Sequence, residues 1–189
     1  MKKALLLAAS VAFIAPQAFA QAKNFEGFSL GASIASTKTT FENPTVSIDG
    51  TTASLDLNAQ YNFALAPQFV LGVGLNLGTG NNKAGTSAGV DVITKNRYAL
   101  EFTPGYAVSN TLLVYGKVAS LSATAEAGTF SEGISGIGYG LGVRGLVDKN
   151  IYWQVGYDAN TYSEKTSAAL GGAYKTKSSV FSLGVGYKF

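Results

Sequence analysis

The feature that most limits this chain is a period of two in its hydropathy that returns about eight times. In the last occurrence, Phe181, Leu183, Val185, Tyr187 and Phe189 fall on one face of an extended strand. Ser182, Gly184, Gly186 and Lys188 fall on the other. The cleanest occurrence sets Ala53, Leu55, Leu57, Ala59, Tyr61 and Phe63 against Ser54, Asp56, Asn58, Gln60 and Asn62. Alternation over that length predicts a strand. Further runs cover Gly27 to Ala35, Phe69 to Gly78, Arg97 to Tyr106, Leu112 to Leu121, Gly136 to Arg144 and Ile151 to Thr161. Pro104 has no N–H for a ladder, so it is expected at a strand end or a local irregularity.

The front of the chain carries a different signal. Met1-Lys2-Lys3 is basic, Ala4 to Ala15 is apolar, Pro16 breaks the run, and Ala18-Phe19-Ala20 is a small-residue cleavage site. That order predicts a secretory signal peptide over residues 1–20, with the working domain over 21–189. The apolar run is shorter than the ~20 residues a membrane-spanning helix needs. Of 14 basic residues, Lys2 and Lys3 leave with the signal, so 12 remain against 11 acidic ones. A balance of +1 gives no nucleic-acid footprint. The chain has no cysteine, so an exported form carries no disulfide.

The bulk of the two faces indicates which points inward. One face is dominated by Gly, Ser, Asn and Ala, the other by Leu, Val, Tyr and Phe. A narrow eight-stranded lumen accepts the first, and hydrocarbon suits the second. The fold expected is an all-β, eight-stranded, antiparallel up-and-down transmembrane barrel, closed because an open sheet leaves unpaired backbone groups in lipid. The connections near 64–68, 107–111 and 147–150 are short. Those near 38–52, 79–92, 122–135 and 162–177 run to about fourteen residues, as in an outer-membrane barrel with periplasmic turns and extracellular loops. A water-soluble barrel of lipocalin type places its apolar face inside, and a periplasmic ligand-binding barrel of that kind remains an alternative.

Three passages carry a resemblance. Thr103-Pro104-Gly105-Tyr106 with Val114-Tyr115-Gly116-Lys117 resembles the central hairpin of the small outer-membrane β-barrel superfamily of OmpA-type, OmpX/Ail-type and opacity-type surface proteins. Gly138 to Arg144 resembles its sixth strand. Ser182, Gly184, Tyr187 and Phe189 are similar to its carboxy-terminal signal for the barrel-assembly machinery. The resemblance implies a monomer in the outer membrane of a Gram-negative bacterium, in contact with membrane lipids and lipopolysaccharide. The peptidoglycan-binding domain of OmpA-type proteins is not expected, since the chain stops at the last strand. The lipid A palmitoyltransferase and deacylase barrels rely on histidine, and this chain has none.

Parity places Asp56, Arg97, Glu101, Lys117, Arg144 and Asp158 in the lumen, three acids and three bases. In the run from Leu112 both faces carry apolar residues. Tyr115 and Lys117 are placed inward because a lysine facing mid-depth lipid is costly. Unpaired charges in a poorly solvated lumen are expensive, so Glu101 is expected to pair with Lys117, and Arg144 with Asp158. Lys38 and Lys177, with Lys175 close by, share outward parity at the upper ends of the first and last strands, where they would meet lipopolysaccharide phosphates. No enzyme, cofactor or metal site is expected. The leading reading is a structural or surface-interaction protein whose polar loops name no ligand. A small porin-like channel for polar solutes is the second.

Overall fold

A computed structural model describes residues 21–44, 47–87, 89–167 and 172–189; the expected signal peptide lies outside them. Among the described residues no helix is long and apolar enough to cross a membrane. The strands are β1 (Gly27–Glu42), β2 (Ser47–Ala64), β3 (Phe69–Gly78), β4 (Asn82–Ser87) and β5 (Val90–Ala107). They continue with β6 (Leu112–Ala127), β7 (Phe130–Leu146), β8 (Ile151–Tyr162), β9 (Lys165–Ser167) and β10 (Gly172–Lys188). Each pairs antiparallel with its neighbour, and β10 returns to β1 from Ser29↔Lys188 to Glu42↔Lys175, which closes the barrel. β4 prolongs the line of β3 and, among the described residues, pairs with β5 alone; β9 likewise prolongs β8 and pairs with β10. The circuit is therefore eight staves, two of them interrupted.

Outward positions are lipid-like at the short-turn end. Leu30 and Ile34 of β1, Leu55 and Leu57 of β2, Leu75 and Leu77 of β3, and Leu183 and Val185 of β10 are all exposed. Aromatic collars bound this band. One holds Phe28, Phe189 and Tyr187, with Phe69 edge-on to Tyr106 at 5.3 Å. The other holds Tyr98, Tyr139, Tyr157 and Phe181. Tyr106 and Tyr98 are eight residues apart on β5, a rise of about 20 Å along a tilted strand, in keeping with an apolar band of ~25 Å.

The strands do not stop at the second collar. β1 has 16 residues and β2 and β5 have 18, which rise about 40–45 Å at a usual barrel tilt. The links expected as fourteen-residue loops are therefore largely strand. Above the collar the polarity of the faces reverses on β6, while β1 and β10 still bury Thr37, Thr39, Thr176 and Ser178. On β6, Leu121, Ala123 and Ala125 point inward and are buried, while Ser120, Ser122, Thr124 and Glu126 point outward. Once the wall leaves hydrocarbon, burial favours the apolar face inside.

Two local features reconcile β5 with this plan. Asn96, at φ 49°, marks a bulge between Lys95 and Tyr98. Below it the odd residues Ala99, Glu101 and Thr103 are buried; above it the even residues Val92 and Thr94 are. One extra residue turns the strand over. Pro104 lies within β5, opposite Leu71, where the ladder to β6 is interrupted at Thr103 and Pro104.

The narrow lumen makes some glycines obligatory. Tyr152 of β8 is 1 % exposed, and its ring crosses β10 to reach β1. A Cβ at Gly31 or Gly186 would overlap its hydroxyl. Gly186→Ala is expected to cost about 1–3 kcal/mol through overpacking, read as a lower midpoint of urea unfolding in detergent. The same change in a Tyr152→Ala background should cost markedly less.

Candidate functional site

The interior is built in layers from the short-turn end upward. At the bottom, residues 21–26 fold under the barrel as a single 3₁₀ turn, Ala22–Phe25. Phe25 is 1 % exposed and packs with Ala22, Val70, Ala107 and Leu113. The turn is tied on three sides. The Ala22 N–H donates to the Pro67 carbonyl at 3.0 Å, Asn24 Nδ2 to the Asn110 carbonyl at 3.0 Å, and Lys188 Nζ to the Glu26 carbonyl at 3.2 Å. This plug was missed in the sequence. Its one signal is Phe25, a lone aromatic in an otherwise polar stretch before the first alternating run.

Above the plug lies Arg144. Its guanidinium donates to Gln154 Oε1 at 2.9 Å and Gln60 Oε1 at 3.2 Å and lies 4.5 Å over the Tyr152 ring. The pair expected between Arg144 and Asp158 does not form. Register sets Arg144 opposite Gln154 and Asp158 opposite Gly140, four residues further along, or about 13 Å. Asp158 instead meets Lys117 at 3.2 Å. Lys117 also meets Glu101 at 3.1 Å, so one ammonium bridges two carboxylates. Asn58 Nδ2 reaches the same Glu101 at 3.5 Å. Next comes Arg97, which donates to Ser54 Oγ at 3.0 Å and Asp56 Oδ1 at 3.3 Å. The six charges that parity placed in the lumen all face it.

Little space remains between these groups. The cavity they line has about 80 Å³ open to water centres, room for a few waters rather than a column. Among the described residues Asn58 Oδ1, Arg97 Nε, Arg144 Nε and Asp158 Oδ1 have no hydrogen-bond partner and supply the polar surface such waters need.

One wall of the lumen, beside and above the charges, is apolar: Ala99, Ala119, Leu121, Ala123, Ile134 and Tyr162. Buried Thr39, Asn82, Thr94 and Ser178 line other parts of it. At the far end β2 has no ladder to β4, and β7 has none to β9. Among the described residues the ladder there falls into two four-stranded leaves, β9-β10-β1-β2 and β4-β5-β6-β7, which still touch where the Lys83 N–H donates to Thr52 Oγ1 at 3.1 Å and Lys165 meets Glu132 at 3.4 Å. Phe41, Tyr174 and Ile48 from the first meet Ala84, Val92, Ala127 and Phe130 from the second. Phe41 stacks on Tyr174 at 5.3 Å. Burial, then the hydrogen bond to Glu132, pushes the Tyr174 phenol above its ordinary range.

The outer surface at this level is charged and paired. Lys38 meets Asp49 at 3.0 Å, Lys83 meets Asp91 at 2.7 Å, Lys177 meets Glu42 at 3.0 Å, and Lys95 meets Glu126. Hydrogen bonds from Lys83 and Thr86 hold the Asp91 carboxyl below its ordinary range. Lys38 and Lys177 are thus outward at the strand ends, with Lys175 opposite Glu42 in register. Two of the three expected lipopolysaccharide lysines face a carboxylate. At the carboxy terminus, Tyr187 and Phe189 point outward in the lower collar, 5.0 Å apart, and Ser182 and Gly184 point inward.

A family model described as outer membrane protein beta-barrel domain matches residues 4–189. The chain belongs to that family. Three solved structures share its fold. Neisserial surface protein A is 20% identical, with 87% of this chain and 98% of that one covered at a TM-score of 0.57. Ail of Yersinia pestis, in complex with the heparin analogue sucrose octasulfate, is 15% identical, with 87% and 99% covered at 0.56. OprG of Pseudomonas aeruginosa is 15% identical, with 87% and 96% covered at 0.53. No curated protein matches the chain by sequence.

This outer-membrane barrel of a Gram-negative bacterium therefore has its short turns and plug at the periplasmic side and its two leaves outside the cell. Family membership sets aside the soluble periplasmic barrel. Within the membrane-spanning part, Lys117 is the group whose loss is worst. Lys117→Ala leaves two buried carboxylates without a cation, whereas Glu101→Ala leaves Lys117 with Asp158. Breaking a buried pair costs about 3–5 kcal/mol. Urea unfolding in detergent should show Lys117→Ala destabilised by roughly that amount and Glu101→Ala by clearly less. Adding Glu101→Gln to Lys117→Ala should restore part of the loss.

Proposed function

We propose that this protein is a non-enzymatic, non-conducting barrel whose product is its extracellular surface, used for structural support of the envelope and for surface interaction. The observation that carries this reading is closure at three levels. The Phe25 plug fills the periplasmic mouth, the Lys117, Arg97 and Arg144 layers fill the middle, and Phe41 and Tyr174 fill the space between the leaves. A channel needs a water path through all three. Chemistry is poorly served as well. The interior acids are each engaged by a base, and among the described residues no group of His, Cys, Asp or Glu has metal-site geometry.

Among the described residues the surface offered outside is mostly strand, laced by cross-strand ion pairs, so a partner meets strand ends and outer faces. Ail was crystallised with a polyanion. Here Lys38, Lys83, Lys95 and Lys177 are each beside a carboxylate, which argues against those residues as a polyanion site. We read contact with lipopolysaccharide as mainly hydrocarbon against the apolar band. The barrel acts as a monomer, and its closing strand, with Ser182, Gly184, Tyr187 and Phe189, is what the assembly machinery reads.

Planar-bilayer recording tests closure directly. The purified full-length mature protein should add no unitary steps to the leak of the bare membrane, and Glu101→Ala should add none. Regular steps in wild type that disappear in Lys117→Ala or Arg97→Ala would establish the porin-like reading instead.

A further inference from the structure

The periplasmic face carries a groove that neither the lumen network nor the apolar band uses. It lies between the plug, the β5–β6 turn, the β7–β8 turn and the end of β10. Its volume is about 430 Å³, and its polar lining includes Lys23, Asn24, Asn110, Lys149 and Lys188, with Asp148 at the turn. The walls are fastened to one another. Asn24 bonds to the Asn110 carbonyl, and Lys188 to the Glu26 carbonyl. The Asn150 side chain donates to the Lys188 carbonyl at 2.7 Å.

The charges in this groove do not cancel locally. Lys23 is matched by Glu26 at 2.8 Å. Asp148 accepts from the Lys149 N–H at 2.5 Å, which fixes it in its own turn and leaves its negative charge in the lining. The ammonium of Lys188 rests on the Glu26 carbonyl. Beyond the Lys23–Glu26 pair, the lining therefore sets Lys149 and Lys188 against Asp148, a net charge of +1. The outer side of the same hairpin is apolar. Val147 is 72 % exposed, Ile151 is exposed, and Trp153 packs its ring over Gly145. A basic underside and a greasy outer wall meet at one turn, at the height of the periplasmic headgroups.

We propose that this groove holds the headgroup phosphate of an anionic phospholipid of the periplasmic leaflet, with Lys149 and Lys188 on the phosphate and the acyl chains against Val147, Ile151 and Trp153. Phosphate accepts short charge-assisted hydrogen bonds from ammonium groups. Basic residues near an anionic leaflet favour it by about five-fold in local concentration per lysine. Bound there, the lipid joins the plug, through Lys23 and Asn24, to the membrane wall.

The single tryptophan of the chain is the reporter. The full-length mature protein is reconstituted in phosphatidylcholine vesicles with a minor fraction of lipid brominated on its acyl chains. Brominated phosphatidylglycerol should quench Trp153 several-fold more strongly than brominated phosphatidylcholine at equal fraction. The preference should weaken in Lys149→Gln, a change on an exposed turn, and vanish in Lys149→Gln with Lys188→Gln. Circular dichroism and heat-modifiable gel mobility confirm that both variants are folded. Equal quenching by the two lipids in wild type overturns the proposal, as does a preference that survives the double change. Displacement by free glycerol phosphate at matched concentration would assign the site to a soluble anion and remove the lipid.

Discussion

Everything in this molecule follows from the cost of an unpaired peptide group in hydrocarbon. A sheet that enters the bilayer must have no edge, and here the requirement is met at one seam, where β10 lies along β1 from Ser29↔Lys188 to Glu42↔Lys175. Closing on eight staves makes the lumen narrow. Narrowness in turn dictates what can point inward. It asks for glycine where Tyr152 crosses β10 and β1, for serine and asparagine beside the ion pairs, and for few large side chains. The glycine-rich inner face and the aromatic outer face that mark the sequence are two results of that one closure.

The membrane half of the fold was legible because lipid imposes a strong signal. Seen from outside, each stave alternates a bulky apolar residue with a small or polar one, and that alternation located every barrel strand and the three short turns. The extracellular half was not legible in the same way. Past the collar of Tyr98, Tyr139, Tyr157 and Phe181, strand propensity persists but the apolar-out pattern lapses, and on β6 the faces exchange roles. Leu121, Ala123 and Ala125 turn inward, and Glu126 turns out to meet Lys95. A reader following apolar-out parity sees the pattern fade and infers a loop. The two interruptions, at 79–81 and 163–164, reinforce that impression, although β4 and β9 resume the same staves.

The lumen divides along a similar line between what parity can tell and what it cannot. A period of two settles which residues share the interior, so all six charged groups were identifiable. Partners depend on register and on the reach of long side chains, and both escape a single strand read in isolation. Glu101 and Lys117 lie on neighbouring staves and meet. Arg144 and Asp158 also lie on neighbouring staves but differ in height, so Asp158 crosses to Lys117 and Arg144 settles among amides and a tyrosine ring. The plug was the least legible part. A 3₁₀ turn of four residues has no periodicity to betray it, and Phe25 is buried by tertiary contact alone.

The two halves are consequently held by different forces. In the membrane the apolar side chains face lipid, so the hydrophobic effect does little to order the interior. There, specificity falls to the hydrogen-bonded charges, which tolerate one arrangement because each lost partner strands a buried ion. Outside the membrane the same strands enclose apolar side chains, and burial of Phe41, Ile48, Tyr174 and Val92 sets the packing of the leaves. The Asp56–Arg97 pair stands near the crossover, just below the Asn96 bulge that turns β5 over. A bulge at that height lets one strand present a charge to the polar layer and, a few residues on, valine to the apolar one. The chain thus carries its staves from one solvent to the other, and the extracellular part packs around an apolar core that the membrane half does not have.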